Sequence, residues 1–183
     1  MSHSVIDSRN SGAAAAAAAV NWPGNCLLAV RVNSFLVSPV VVIGREVARQ
    51  RVSAGHGPET DPSTLAVWEG WAADIGPMPP PSAVTITGFV SADAPRRALY
   101  ALNVLAGYGG GLILTAGVRR PSRWTMRECD LAGVSLVWCR RGVGAELLVQ
   151  GRCGPVSSAR RTVATRQKEE LIFAHALRSG VIE

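Results

Sequence analysis

Lysine is almost missing from this chain: of nineteen basic side chains in 183 residues eighteen are arginine, and Lys168 is the exception. Metal-ligand spacing is missing too. Cys26, Cys129, Cys139 and Cys153 form no CxxC pair, and His3, His56 and His175 lie far from them and from one another along the chain. A structural metal site is therefore not expected, and the cysteines read as small buried hydrophobes in a reducing compartment. There is no GxSxG, HExxH or DxD cluster, and the glycine run Gly107, Gly109, Gly110, Gly111 leads into no GKS or GKT. That excludes the common nucleophile-elbow, zinc-protease and phosphate-loop signatures, so no catalytic residue and no cofactor is expected. A membrane span is lacking as well. The uncharged run 10–30 owes its apolarity to alanine, is broken by Asn21, Pro23, Gly24 and Asn25, and follows Asp7, which makes it a poor span and a poor signal peptide. Charge is scarce at 17%, against about 25% in ordinary soluble domains, while apolar residues reach 48%. Surplus apolar surface points to burial against partners, including copies of this chain.

Arginine is what remains, and it is unevenly placed. Residues 1–93 carry five basic and seven acidic side chains; residues 94–183 carry fourteen and six. A GC-rich genome would favour arginine over lysine everywhere, but it does not account for that gradient. The planar guanidinium donates bidentately to phosphate, stacks on bases and stays protonated, so the second half suits a polyanion. Doublets fall at Arg96 and Arg97, Arg119 and Arg120, Arg140 and Arg141, and Arg160 and Arg161, all at expected turns or helix starts. The tract 119–127 sets Arg119, Arg120, Arg123 and Arg127 around Trp124, joining phosphate neutralisation to a stacking surface. A second stretch, 152–168, holds Arg152, Arg160, Arg161, Arg166 and Lys168 with no acidic residue. These ten residues are the candidate nucleic-acid contacts, and with no base-reading motif beside them the contact is expected to ignore sequence.

The length fits one domain with tails. Residues 1–22 read as a flexible arm, 23–156 as a β-sandwich and 157–183 as a basic C-terminal segment with a helix. Short Val-, Ile-, Leu- and Trp-rich runs punctuated by Pro, Gly, Asp and Ser predict strands at 26–32, 35–43, 64–72, 83–90, 111–118, 134–139 and 145–150. Arg140, Arg141 and Gly142 would turn the last hairpin. On a strand, Glu128 and Asp130 would share a face as charge partners for Arg123, Arg127 and Arg140. Two segments predict helices. One covers 94–106, with Pro95 at its start and Leu99, Leu102 and Leu105 at helical spacing. The other covers 163–179, with Leu171, Ala174 and Leu177 on one face, Arg166 paired to Glu170, and Gly180 as the stop.

Several motifs follow one another as in a known family. Leu65, Val67 and Trp68 precede a proline cluster; Val84-Thr-Ile-Thr-Gly-Phe-Val-Ser-Ala-Asp-Ala-Pro95 follows, then Tyr108-Gly109-Gly110, then Cys129-Asp130-Leu131, then the closing strand pair. Over about residues 60–155 this resembles the tymovirus-like coat proteins of small icosahedral RNA viruses, with their Leu-Trp strand, Trp-Val-Pro-Ala-Asn strand end, Tyr-Gly-Gly strand and Cys-Pro-Leu motif. Ser91 stands where that family has its first proline, and the helix after Val163 has no counterpart there. The resemblance implies a mainly β fold, an antiparallel jelly-roll sandwich with a short inserted helix and a C-terminal helix. It also implies a coat protein that assembles with copies of itself into an icosahedral shell around RNA, in the host cytoplasm and then the virion, without catalysis. The rival expectation is a small α+β interaction domain from a high-GC bacterium, indifferent to RNA. A third is an enzyme holding a phosphorylated small molecule near Gly107–Gly111.

Overall fold

The computed structural model describes residues 3–72, 74, 76–140 and 143–182. They form two compact units, one made of the chain through Val41 with Ile86–Ala159, the other of Val42–Thr85 with the chain from Arg160.

The first unit contains helix α1 (His3–Ala19), strands β1 (Asn25–Cys26) and β2 (Val30–Val32), and most of β3 (Phe35–Ile43) and β4 (Val84–Ser91). After these come α4 (Pro95–Leu105), β5 (Gly110–Ala116), α5 (Arg123–Ala132), β6 (Ser135–Arg140) and β7 (Gly144–Val149). The sheet runs β1-β3-β4-β5-β6-β7, with β2 also on β3. β4, β5 and β6 are parallel, and β7 returns antiparallel to β6. The expected antiparallel jelly-roll sandwich is therefore corrected to an α/β fold with a mixed sheet. Its cause is visible in the connections: β4 to β5 and β5 to β6 each pass through a helix, the crossover that parallel neighbours require.

Both faces of this sheet are covered. Ala13, Ala16, Ala17, Val20 and Trp22 pack with Val40, Val90, Leu112, Leu114 and Val137. Gly12 comes so near the sheet that a Cβ there would sit 3.3 Å from Leu114. The expected flexible arm is thus a core helix over His3–Ala19, its small side chains allowing close approach to the strands. Gly111, pointing the opposite way from Leu112 along β5, would bring a Cβ 3.1 Å from Leu102 of α4. α4 buries Ala98, Leu99, Ala101, Leu102 and Leu105, and α5 buries Thr125 and Cys129. Strands covered on both faces carry nearly unbroken apolar runs, not alternation, as Leu112–Leu114 of β5 and Leu136–Cys139 of β6 do, while β4 reaches its unbroken run only at Gly88–Val90, after Thr85 and Thr87. The expected hairpin 134–150 is present, with Arg140 opposite Gly144; Arg141 and Gly142 of its turn lie outside the described residues.

The second unit holds three helices, α2 (Arg45–Ser53), α3 (Pro62–Glu69) and α6 (Val163–Arg178). The strand expected at 64–72 is α3. Asp61 caps it by accepting the Thr64 N–H at 2.7 Å, with Pro62 at the first helical position. That capping pushes the Asp61 carboxyl below its usual range. Helix α6 matches the expected segment 163–179 to within one residue at its end.

Candidate nucleic-acid interface

In open sheets with parallel strands, ligands meet the carboxyl ends of the strands, where loops diverge and helices begin. Here those ends are Ser91, Ala116 and Arg140. The helices that follow β4 and β5 start there, bringing the positive ends of two helix dipoles to one side. Arg96 and Arg97 occupy the first turn of α4; Arg119 and Arg120 lie between β5 and α5; Arg123 opens α5; Arg140 ends β6. All six are exposed. Ser122 caps α5, accepting the Thr125 N–H at 3.1 Å, whereas α4 starts from Ala94, whose side chain can accept nothing. Strand order has gathered Arg96 and Arg97, Arg119 and Arg120, and Arg140, although these groups lie about twenty residues apart in the chain.

Opposing charge at this edge is thin. Arg120 approaches Glu146 at 3.2 Å with both side chains more than half exposed. No carboxylate lies within ion-pair distance of Arg96, Arg97, Arg119, Arg123, Arg127 or Arg140 among the described residues. Trp124, in the first turn of α5, is 61% exposed, and Arg127 follows one turn later on the same side. Because α5 is a helix, Glu128 and Asp130 do not share a face as they would on a strand. An open recess of about 430 Å³ lies at the ends of β5 and β6, lined by Ala116, Gly117, Val118, Cys139 and Arg140. Trp138 donates its indole N–H to the Gly117 carbonyl at 3.1 Å, and the Arg140 guanidinium sits 6.0 Å from the Trp138 ring centre.

The structure divides the ten expected contacts. Arg119, Arg120, Arg123 and Trp124 stay together at the carboxyl edge, whereas Arg127, a turn further along α5, lies beside Leu148, Val149 and Gln150, toward the amino end of β6. Arg152 does not join them: its backbone N–H bonds the Gly133 carbonyl at 2.9 Å, beside the amino end of β6. Arg160, Arg161, Arg166 and Lys168 belong to the second unit. There Arg166 is 6% exposed, donating to Glu170 at 2.9 Å and to the Pro80 carbonyl at 2.6 Å, with its guanidinium 5.5 Å from the Trp68 ring. Arg161 grips Glu169 with two bonds, of 3.0 and 2.7 Å, which raise its pKa further. Arg160 is exposed and Lys168 half-buried, each without an ion-pair partner among the described residues. Arg96, Arg97 and Arg140 are visible in the sequence as doublet members at turns; only the parallel strand order places them beside the 119–127 tract.

The other candidate sites resolve differently. Gly107–Gly111 leads into the amino end of β5, where a Cβ on Gly109 would sit 2.9 Å from the Gly88 Cα. Close strand packing is what that glycine serves. All four cysteines are free thiols, and burial pushes Cys26 and Cys129 up to about 11. Among the described residues no cluster of three or more His, Cys, Asp or Glu could hold a metal, and no helix is long and apolar enough to cross a membrane.

Comparison with models of known families, with curated proteins and with solved structures finds no match to the chain.

Proposed function

We propose that this protein binds nucleic acid through its phosphate backbone, without reading base sequence, at the carboxyl edge of β4, β5 and β6. The observation that carries this reading is the convergence of Arg96, Arg97, Arg119, Arg120, Arg123 and Arg140 on one edge, where among the described residues Arg120 alone has a carboxylate within ion-pair distance. Arginine forks and helix amino ends both favour phosphate oxygens, and contacts of this kind bind any sequence. The partner is RNA or single-stranded DNA before any protein, because unpaired surface guanidiniums gain most from a polyanion that releases counterions. Icosahedral shell formation by a jelly-roll coat protein requires the antiparallel sandwich that this mixed sheet is not. Phosphate contact stands without it.

Fluorescence anisotropy with a labelled 20-nucleotide RNA, titrated from 0.05 to 0.5 M salt, tests the reading. About four phosphate contacts on a single strand give a slope of log K against log salt near −3, at roughly −0.7 per contact. Absence of binding at 0.05 M salt, or affinity indifferent to salt, overturns it and favours an interaction domain without nucleic-acid function.

A further inference from the structure

Phosphate contacts alone treat single strands and duplexes alike, but the carboxyl edge holds something a duplex cannot use. The recess at the ends of β5 and β6 is lined by Ala116, Gly117, Val118 and Cys139, apolar or small, with Arg140 as the charged member among the described residues. Its volume of about 430 Å³ is within the size range of small-ligand clefts. Val118 is 88% exposed, so an apolar side chain faces solvent directly beside Arg119 and Arg120. Arg140 is held over Trp138, which keeps a flat guanidinium at the rim, a surface suited to stacking on a heteroaromatic ring. The Trp138-to-Gly117 hydrogen bond ties the recess floor to the loop that carries both arginines.

We infer that this recess accepts one unpaired nucleobase of a bound single strand, while Arg119, Arg120 and Arg123 hold the phosphates on either side of it. Base capture of this kind rests on the phosphate-binding reading and narrows it to single-stranded nucleic acid. In a duplex the bases are stacked and paired inside, and only the backbone would reach this edge. Unstacked bases splayed from a single strand can enter an apolar recess and stack on a guanidinium plane. Charge to draw the strand is present, since among the described residues the arginines beside the recess have one carboxylate at ion-pair distance, Glu146.

The test compares a labelled 20-nucleotide single strand with the duplex of the same sequence, using the wild-type chain and Ala116→Leu, whose aliphatic side chain fills the recess from an exposed position without offering a ring to stack on. Stacking of a base is worth roughly 5- to 150-fold in affinity. The wild type should prefer the single strand by at least about fivefold, and Ala116→Leu should remove that preference while duplex affinity changes less than about twofold. Alkylation of Cys139, followed by mass spectrometry on the wild type, gives a second readout independent of any variant's folding. The single strand should slow it and the duplex should not. If both forms bind the wild type equally, or Ala116→Leu keeps the preference and Cys139 stays unprotected, the base recess is wrong and the phosphate reading stands. If neither form binds, the phosphate reading falls and the base recess with it.

Discussion

Arginine does two different jobs in the two units. In the second unit Glu170, wholly buried, accepts both Nη atoms of Arg51 at 2.7 and 2.9 Å, Nε of Arg166 at 2.9 Å and the Glu59 N–H at 3.1 Å. Arg51 also donates to the carbonyls of His56, Gly57 and Pro81, and its guanidinium lies 4.8 Å from the Phe173 ring centre. All the guanidinium nitrogens of Arg51 are thereby bonded, and the cluster ties α2, α6 and two irregular segments together. At the carboxyl edge of the first unit the same kind of side chain is solvated, with Glu146 as the lone carboxylate partner among the described residues. What decides availability is the number of carboxylates within reach of each guanidinium, not the density of arginine along the chain. By count the acid-free stretch 152–168 outdoes the 119–127 tract, five cations against four, yet two of its five cations are bonded to glutamates just beyond its end.

The contrast breaks most visibly at Glu170. Replacing it with alanine leaves Arg51, 2% exposed, and Arg166 without a counter-charge. Removing one partner of a buried ion cluster costs about 3–5 kcal/mol because the orphaned charge stays desolvated. Urea unfolding of Glu170→Ala should show a loss of that size. A loss under about 1 kcal/mol would mean the cluster is hydrated and the contrast between the units is false.

At the carboxyl edge the opposite pattern is expected. Arg119→Ser, Arg120→Ser and Arg123→Ser combined remove exposed side chains, so stability should move little, with exposed substitutions usually within about 0.5 kcal/mol each. Nucleic-acid affinity at 0.1 M salt should fall about a hundredfold, since a slope near 0.7 per phosphate makes each contact worth about fivefold there. The salt slope should flatten by about two units. If the triple variant instead unfolds while affinity per folded molecule holds, these arginines are structural like those of the second unit.

Salt separates the two classes in a single protein. Exposed charges are screened over roughly 10 Å at 0.1 M, buried pairs much less. Raising salt from 0.05 to 0.5 M should cut RNA affinity of the wild type by about two to three orders of magnitude, given a slope near −3. The stability lost on Glu170→Ala should be the same at both salts within about 0.5 kcal/mol.

What the sequence makes legible here is local. Helix α6, the Arg166 to Glu170 pairing, Pro95 opening α4, strand β3 at Phe35–Ile43 and the final hairpin depend on residues within a few positions of one another. Strand direction does not. A run such as Gly111-Leu-Ile-Leu114 is equally apolar in a sandwich or in a parallel sheet covered on both sides, and only the helical crossovers distinguish them. Glu128 and Asp130 read as neighbours on a strand, although Ser122 as the cap of α5 and Gly133 in the left-handed conformation at its end mark a helix. The alanine run suggests an arm because alanine shows no amphipathic face; its packing value lies in what it lets approach. Arg51 and Glu170 stand 119 residues apart, and no periodicity links such positions.

The finest distinction concerns the one arginine at the carboxyl edge that does have a carboxylate. Arg120 and Glu146 are 3.2 Å apart and more than half exposed, and exposed pairs contribute about 0–1 kcal/mol. Glu146→Gln should therefore leave the unfolding midpoint nearly unchanged. It removes a negative charge from the binding edge and releases Arg120 to phosphate, so RNA affinity at 0.1 M salt should rise by about two- to fivefold, the upper figure corresponding to one more phosphate fully engaged. Salt dependence should steepen by up to about 0.7 unit. Unchanged affinity with an unchanged slope would show that Arg120 already exchanges Glu146 for phosphate at no cost, which would place it with Arg119 and Arg123 and confine the paired arginines to the second unit.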